Sequence, residues 1–136
     1  MYKFFDKPVY YLQRNDFDDN GNLIVPELRN KKVIIMLQAN YCGHCTTAKP
    51  DFYRAAKHLK ELENNGGTSY KNKIVFATIQ ADGKEEGEKE LNELLQYIKP
   101  GFVGFPDYVL YVNGKRLEDN GPPGRDFNNL INYVMN

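Results

Sequence analysis

Between positions 33 and 37 the chain reads Val-Ile-Ile-Met-Leu, an unbroken apolar run. Such a run predicts a strand buried on both faces, here spanning Lys31 to Ala39. Two more runs predict strands, Val9-Tyr10-Tyr11-Leu12 after Pro8, and Ile74 to Ile79. Elsewhere apolar positions recur at helical spacing. Phe52, Ala55, Ala56 and Leu59 make one stripe, Leu91, Leu94, Leu95 and Ile98 a second, and Phe127, Leu130, Ile131 and Val134 a third. Pro50 inside the first helix predicts a kink. Asn64-Asn65-Gly66-Gly67 ends that helix, before a loop reaching to about Asn72. Lys99-Pro100-Gly101 stops the second helix. Asn113-Gly114, between Tyr108–Val112 and a short run at Lys115 to Leu117, is a strong two-residue hairpin signal.

The order is therefore strand, strand, helix, strand, helix, hairpin, helix. It predicts an α/β fold with a central mixed sheet of four to five strands, helices on both faces and an antiparallel hairpin at one side. No repeat or linker divides the sequence, so residues 1–136 are expected to form a single domain. The polar run Arg14 to Asn22 is a loop with an Asn20-Gly21 turn. Asp16-Phe17-Asp18-Asp19-Asn20-Gly21, with Glu27 following, also satisfies the calcium-loop pattern D-x-[DN]-x-[DN]-G-x5-E. That site needs flanking helices, whereas a strand precedes it and Pro26 stands where the exit helix would run. An acidic turn is the expected reading.

Composition narrows the function. Lys and Arg number 18 and so do Asp and Glu, so no net field attracts nucleic acid or an acidic lipid surface. No apolar run approaches the roughly 20 residues of a spanning helix. The start, MYKFFDKPVYYLQRND, lacks the apolar centre of a secretory signal, which makes the cytoplasm the expected address. Two cysteines are too few for a disulfide-stapled scaffold.

Both cysteines lie in Asn40-Tyr41-Cys42-Gly43-His44-Cys45-Thr46-Thr47-Ala48-Lys49-Pro50, where the buried strand gives way to a helix. A zinc site needs about four ligands, and only His44 and His58 could join the thiols. His58 lies about 20 Å further along the helix, so no metal is expected. Haem attachment requires His where Thr46 stands. As an inert staple the pair closes too small a ring to remove much chain entropy. Exchange chemistry fits better. Cys42 at the first helical turn faces unpaired N–H groups and the positive end of the helix dipole, which favour thiolate. Protonated His44 adds to this. Cys45, one turn on, can close the ring and release a bound substrate.

With Pro50 eight residues after the first cysteine, Gly104-Phe105-Pro106 before a strand and hairpin, and Gly124-Arg125-Asp126 before the last helix, Cys42-Gly43-His44-Cys45 resembles the thioredoxin-like superfamily, in the form found in protein disulfide isomerase domains. The likeness covers roughly residues 8–135. It implies a thioredoxin fold and a thiol–disulfide oxidoreductase, either isomerase- or oxidase-like or a thioredoxin-like reductase. It implies Cys42 as nucleophile, Cys45 as resolving thiol, and Gly43 and His44 between them. Pro106 would be cis and face the sulfurs, the Phe105 backbone would pair with substrate, and Tyr41 would border the groove. Arg125 matches an arginine that swings toward the second cysteine and lowers its pKa, while a solvated surface arginine is the alternative reading of a cation placed at a helix N-terminus. No bound cofactor is implied, and a monomer is expected. Its partners would be protein disulfide or dithiol substrates and a redox partner: a reductase, glutathione or a thiol oxidase. The stretch ANYCGHCTTAKP is also similar to thioredoxin-domain proteins of large DNA viruses, which would place the activity in host cytoplasm or a virion.

Two positions depart from that pattern. Met36 stands where the family buries an acid that takes the proton of the second cysteine, and Thr46 replaces a common basic residue. Slower or pH-shifted resolution by Cys45 is expected. A rival reading is a peptide-docking or virion-assembly module with weak chemistry, favoured by Met36 and the polar Asn64–Asn72 loop.

Overall fold

The computed structural model describes residues 3–64 and 73–136. Five strands, β1 (Tyr10–Tyr11), β2 (Lys32–Gln38), β3 (Ile74–Gln80), β4 (Asp107–Val112) and β5 (Lys115–Arg116), form one mixed sheet in the order β1-β3-β2-β4-β5. The helices are α1 (Gly43–Asn64), α2 (Leu95–Ile98) and α3 (Phe127–Met135). β2 is the middle strand. It runs parallel to β3, from Lys32↔Ile74 to Gln38↔Gln80, and antiparallel to β4, from Lys32↔Val112 to Leu37↔Asp107.

The Val33–Leu37 run forms a strand because both of its faces are covered. Val33, Ile35 and Leu37 pack with Leu91, Leu94, Leu95 and Ile98. Ile34 and Met36 pack with Phe52, Ala55, Leu59 and Leu130. The period-two alternation of a strand sends neighbours to opposite layers. Each of these larger side chains contributes roughly 1.5–3 kcal/mol when fully buried. The Pro50 ring lies inside α1, so the Thr46 carbonyl has no N–H to receive from that position.

Some elements differ from expectation. β1 keeps only Tyr10–Tyr11, although the Leu12 N–H still reaches the Thr78 carbonyl at 3.0 Å. The second apolar stripe is buried as predicted, but Lys89–Leu94 is a 3-10 helix and only Leu95–Ile98 is α. Leu91 and Leu94, three apart, sit on one face of a three-residue turn, so the tighter winding loses no burial. β5 ends at Arg116, and Leu117 adds a last ladder bond to the Leu110 carbonyl at 2.7 Å. Residues 65–72 of the expected polar loop lie outside the described residues.

The hairpin turn takes φ 53° at Asn113 and 82° at Gly114, both in the left-handed region that a type I′ turn requires. A Cβ on Gly114 would come 2.6 Å from the Leu23 carbonyl oxygen, so the site also excludes a side chain. The Arg14–Asn22 loop folds around Asp18. One of its carboxylate oxygens accepts the N–H groups of Asn20 and Asn22, both at 2.9 Å, and the other accepts the Asn22 amide. Short 3-10 turns, Arg14–Asp16 and Pro26–Leu28, flank the loop in place of calcium-site helices. The Tyr111 hydroxyl donates to the Gly21 carbonyl at 2.6 Å and ties this loop to β4.

Candidate active site

Both cysteines lie at the carboxyl end of β2. The chain leaves β2 at Gln38 and enters α1 at Gly43, so Cys42 is the residue on which the helix starts. Its carbonyl accepts the Thr46 N–H at 3.1 Å, the first bond of the helix. Its Sγ accepts the Cys45 N–H, also at 3.1 Å. Sulfur thus does the work that a Ser or Asp oxygen does in an ordinary N-cap. Cys45 is joined to Cys42 as a disulfide, with Cα atoms 5.2 Å apart. The two sulfurs differ in access: Cys45 is fully buried and Cys42 half-buried. Gly43 and His44 are exposed on the first turn between them. When the pair is reduced, the amide donor and the helix dipole favour the Cys42 thiolate over the thiol.

Antiparallel pairing of β4 with β2 brings the residues before Asp107 to this same end. The Phe105–Pro106 peptide is cis, and Pro106 is buried. Tyr41 is 74% exposed and packs edge-on against Phe105 at 6.3 Å. Phe105 in turn lies 4.9 Å from Phe102. These rings form an aromatic rim beside the disulfide-bearing turn, with Val103 almost wholly exposed in the same loop.

Beneath α1 the sheet carries a polar floor. Met36 is fully buried, flanked in register by Thr78 and Tyr108, and its carbonyl accepts the Thr78 hydroxyl at 2.8 Å. Gln38 is also fully buried, and neither end of its amide has a hydrogen-bond partner among the described residues. The Tyr108 hydroxyl is likewise unpartnered. Burial pushes its pKa up to about 12, with the Arg125 charge working against the rise. Arg125 itself is exposed just before α3, and its charge bears on Tyr108. His58 is exposed on α1 with its ring against Phe127 at 5.4 Å.

One feature was not anticipated from the sequence. Lys49 is 3% exposed, and its Nζ donates to Asn40 Oδ1 at 3.0 Å. The Asn40 N–H donates to both carboxylate oxygens of Asp82, at 3.0 Å each. Burial lowers the Lys49 pKa, and Asp82 works against that shift. A signal was present: Lys49 is four residues after Cys45 and seven after Cys42, on the same flank of the helix.

Residues 9–136 match the Thioredoxin family. Thioredoxin-like protein 453L of Invertebrate iridescent virus 6 is 84% identical over 133 residues, which are 98% of this chain and 96% of that protein. Protein disulfide-isomerase A4 of Caenorhabditis elegans is 31% identical over 126 residues, 93% of this chain but 16% of the relative. Among solved structures, human ERp44 (form I) aligns with a TM-score of 0.68 at 18% identity, covering 98% of this chain and 30% of that one. Spinach chloroplast thioredoxin F (short form) aligns with a TM-score of 0.56 at 15% identity, covering 93% and 90%. At such identities the structural likeness speaks for the fold, a thioredoxin fold. The mixed sheet, the Cys-x-x-Cys pair at disulfide distance where β2 meets α1, and the near-full-length match agree: the chain belongs to the thioredoxin family.

Proposed function

We propose that this protein is a thiol–disulfide oxidoreductase acting on protein substrates, with Cys42 as nucleophile and Cys45 as resolving thiol. The observation that carries this reading is the Cys45 N–H held on the sulfur of a reachable Cys42, while Cys45 is shut away from solvent. In the reduced protein the Cys42 thiolate attacks a substrate disulfide. One substrate sulfur leaves as a thiolate and the other stays bonded to Cys42. Cys45 then loses its proton and attacks Cys42 Sγ, closing the ring and expelling the second substrate sulfur. Two electrons have passed to the substrate. In reverse, the same steps insert a disulfide.

Tyr41, Phe105 and Pro106 are assigned to the substrate groove, because exposed Tyr41, next to Cys42, packs on Phe105, and Phe105 is joined to buried Pro106 by the cis peptide. Exposed Gly43 leaves that approach open: a Cβ there would meet nothing within 4 Å. His44 is assigned to stabilising the Cys42 thiolate, and Arg125 to modulating the resolving step. We assign the direction to disulfide donation and shuffling. Isomerase-type pairs lie near −180 mV and thioredoxin near −270 mV, a gap worth about 4 kcal/mol. The Cys-Gly-His-Cys sequence and the kinship with an isomerase support the less reducing end. The proposed setting is the cytoplasm of a host cell or a virion, in line with the viral relative, with a cellular dithiol or glutathione as redox partner.

Insulin reduction by the wild type and by Cys42→Ser tests the activity. Turnover lost in the variant is expected, whereas equal turnover would favour a docking module with no chemistry of its own. Equilibrating the pair in glutathione buffers tests the direction, with a potential near −180 mV expected.

A further inference from the structure

Lys49 is costly where it stands. A buried ammonium forfeits its hydration, and one hydrogen bond to a neutral amide does not restore it. Helical side chains tilt toward the amino terminus, so the Lys49 stem runs back along the flank that carries Cys45. Side chains four apart on a helix have Cβ atoms about 5–6 Å apart. The ammonium ends on the Asn40 side chain, two residues before Cys42 in the segment that leads into the cysteine turn. The position six residues before Cys42 offers no acid, since Met36 fills it.

We propose that Lys49 is a positioning residue for the resolving step, its buried cation stabilising the Cys45 thiolate in a site where Met36 stands at the position that would otherwise hold a proton-accepting acid. This rests on the oxidoreductase reading above and deepens it. The Cys45 S–H proton passes to water. The thiolate, held beside the Lys49 cation, attacks Cys42 Sγ, and the Cys42–substrate bond breaks. The departing substrate thiolate takes a proton from solvent, so charge and electrons balance.

The surrounding groups fit this assignment. From the segment after β3, Asp82 is the charge that acts on Lys49, and it is already engaged with the Asn40 N–H. At this end of the sheet, the face that carries Met36 also carries Gln38 from β2 and Thr78 and Gln80 from β3 in register; none of them titrates. From β4 the titratable group on this face is Tyr108, which Arg125, Asp107 and Asp51 influence. With the disulfide closed, burial lowers the Lys49 pKa and Asp82 offsets that only in part.

The experiment follows release of a peptide mixed disulfide on Cys42 against pH, in wild type, Lys49→Met and Lys49→Gln. Both variants are expected to melt no lower than wild type, because an apolar or neutral side chain removes a buried charge. Both should move the midpoint of the release profile upward by about one pH unit or more. An unmoved midpoint in a folded variant overturns the proposal, even where wild-type exchange is normal. A wild type without any exchange would instead sink the oxidoreductase reading. A measurement that needs no variant is the NMR titration of Lys49 in the reduced and oxidised protein. Coupling to the Cys45 thiolate raises the lysine pKa on reduction, and equal values in the two states refute it.

Discussion

Replacing Gln38 with methionine is expected to stabilise the protein. Gln38 is fully buried at the end of β2, and both its amide nitrogen and its oxygen lack partners among the described residues. Each such orphaned group costs roughly 1–3 kcal/mol of desolvation. Methionine has a similar unbranched length, so it fills the space without overpacking and adds apolar contact to Met36 on the same face. Allowing for partial relaxation around the amide, the net gain is about 2 kcal/mol. In a chain of 136 residues this corresponds to a rise of roughly 6–10 °C in Tm. Reversible urea denaturation of the oxidised protein measures it directly, with a higher midpoint at unchanged slope. A Gln38→Met variant that is no more stable, or is weaker, would show that the amide is satisfied in solution and that the polar floor costs nothing. A gain would mean that stability is given up at the end of β2 that leads into the dithiol, and local rules are most often broken at functional sites.

Two further outcomes rest on other parts of the molecule. Lys3 pairs with Glu88, whose side chain is 1% exposed. Lys3→Met should cost on the order of 2–3 kcal/mol in urea melts, below the range for a fully buried pair because Glu88 also accepts the Glu85 N–H; a change under about 1 kcal/mol would contradict this. At the alkaline end, Tyr108 has a folded pKa of about 12 against an ordinary 10.0, raised chiefly by burial. Its stabilising contribution is complete below pH 10 and is lost as pH climbs through 12. Tyr108→Phe should therefore flatten the fall in stability over that window, and an unchanged pH–stability curve would count against it.

Much of the fold could be read from the apolar pattern, because the elements involved are fixed by local features. Val33–Leu37 has no polar residue to place on a wet face, so it had to become a two-sided strand. Asn113-Gly114 tolerates the positive φ that few other pairs do. Helix geometry was less legible. Leu91, Leu94, Leu95 and Ile98 predict burial equally well with α or 3-10 winding, and the spacing does not choose between them. The extent of β1 depends on how much of an edge β3 offers, a tertiary matter. At the site, the cysteines and their helix start were local facts. Lys49 was not, because its burial depends on Asn40 nine residues earlier and on Asp82 beyond β3. A lysine in a helix reads as solvated until those partners are in place. Gln38 and Tyr108 are similar: their neighbours come from other strands, so their missing hydrogen bonds are invisible along the chain.

The Gly114–Leu23 contact and the Tyr111 tether sit where β4 ends, beside the first residue of β2, while the sulfurs sit past its last. A seven-residue strand separates the two by roughly 20 Å. On the proposed function the molecule has a reactive pole and an inert one. Fusions, labels or surface attachment at the exposed Asp19 and Asn20 would load the inert pole and leave the approach of a disulfide to Cys42 open.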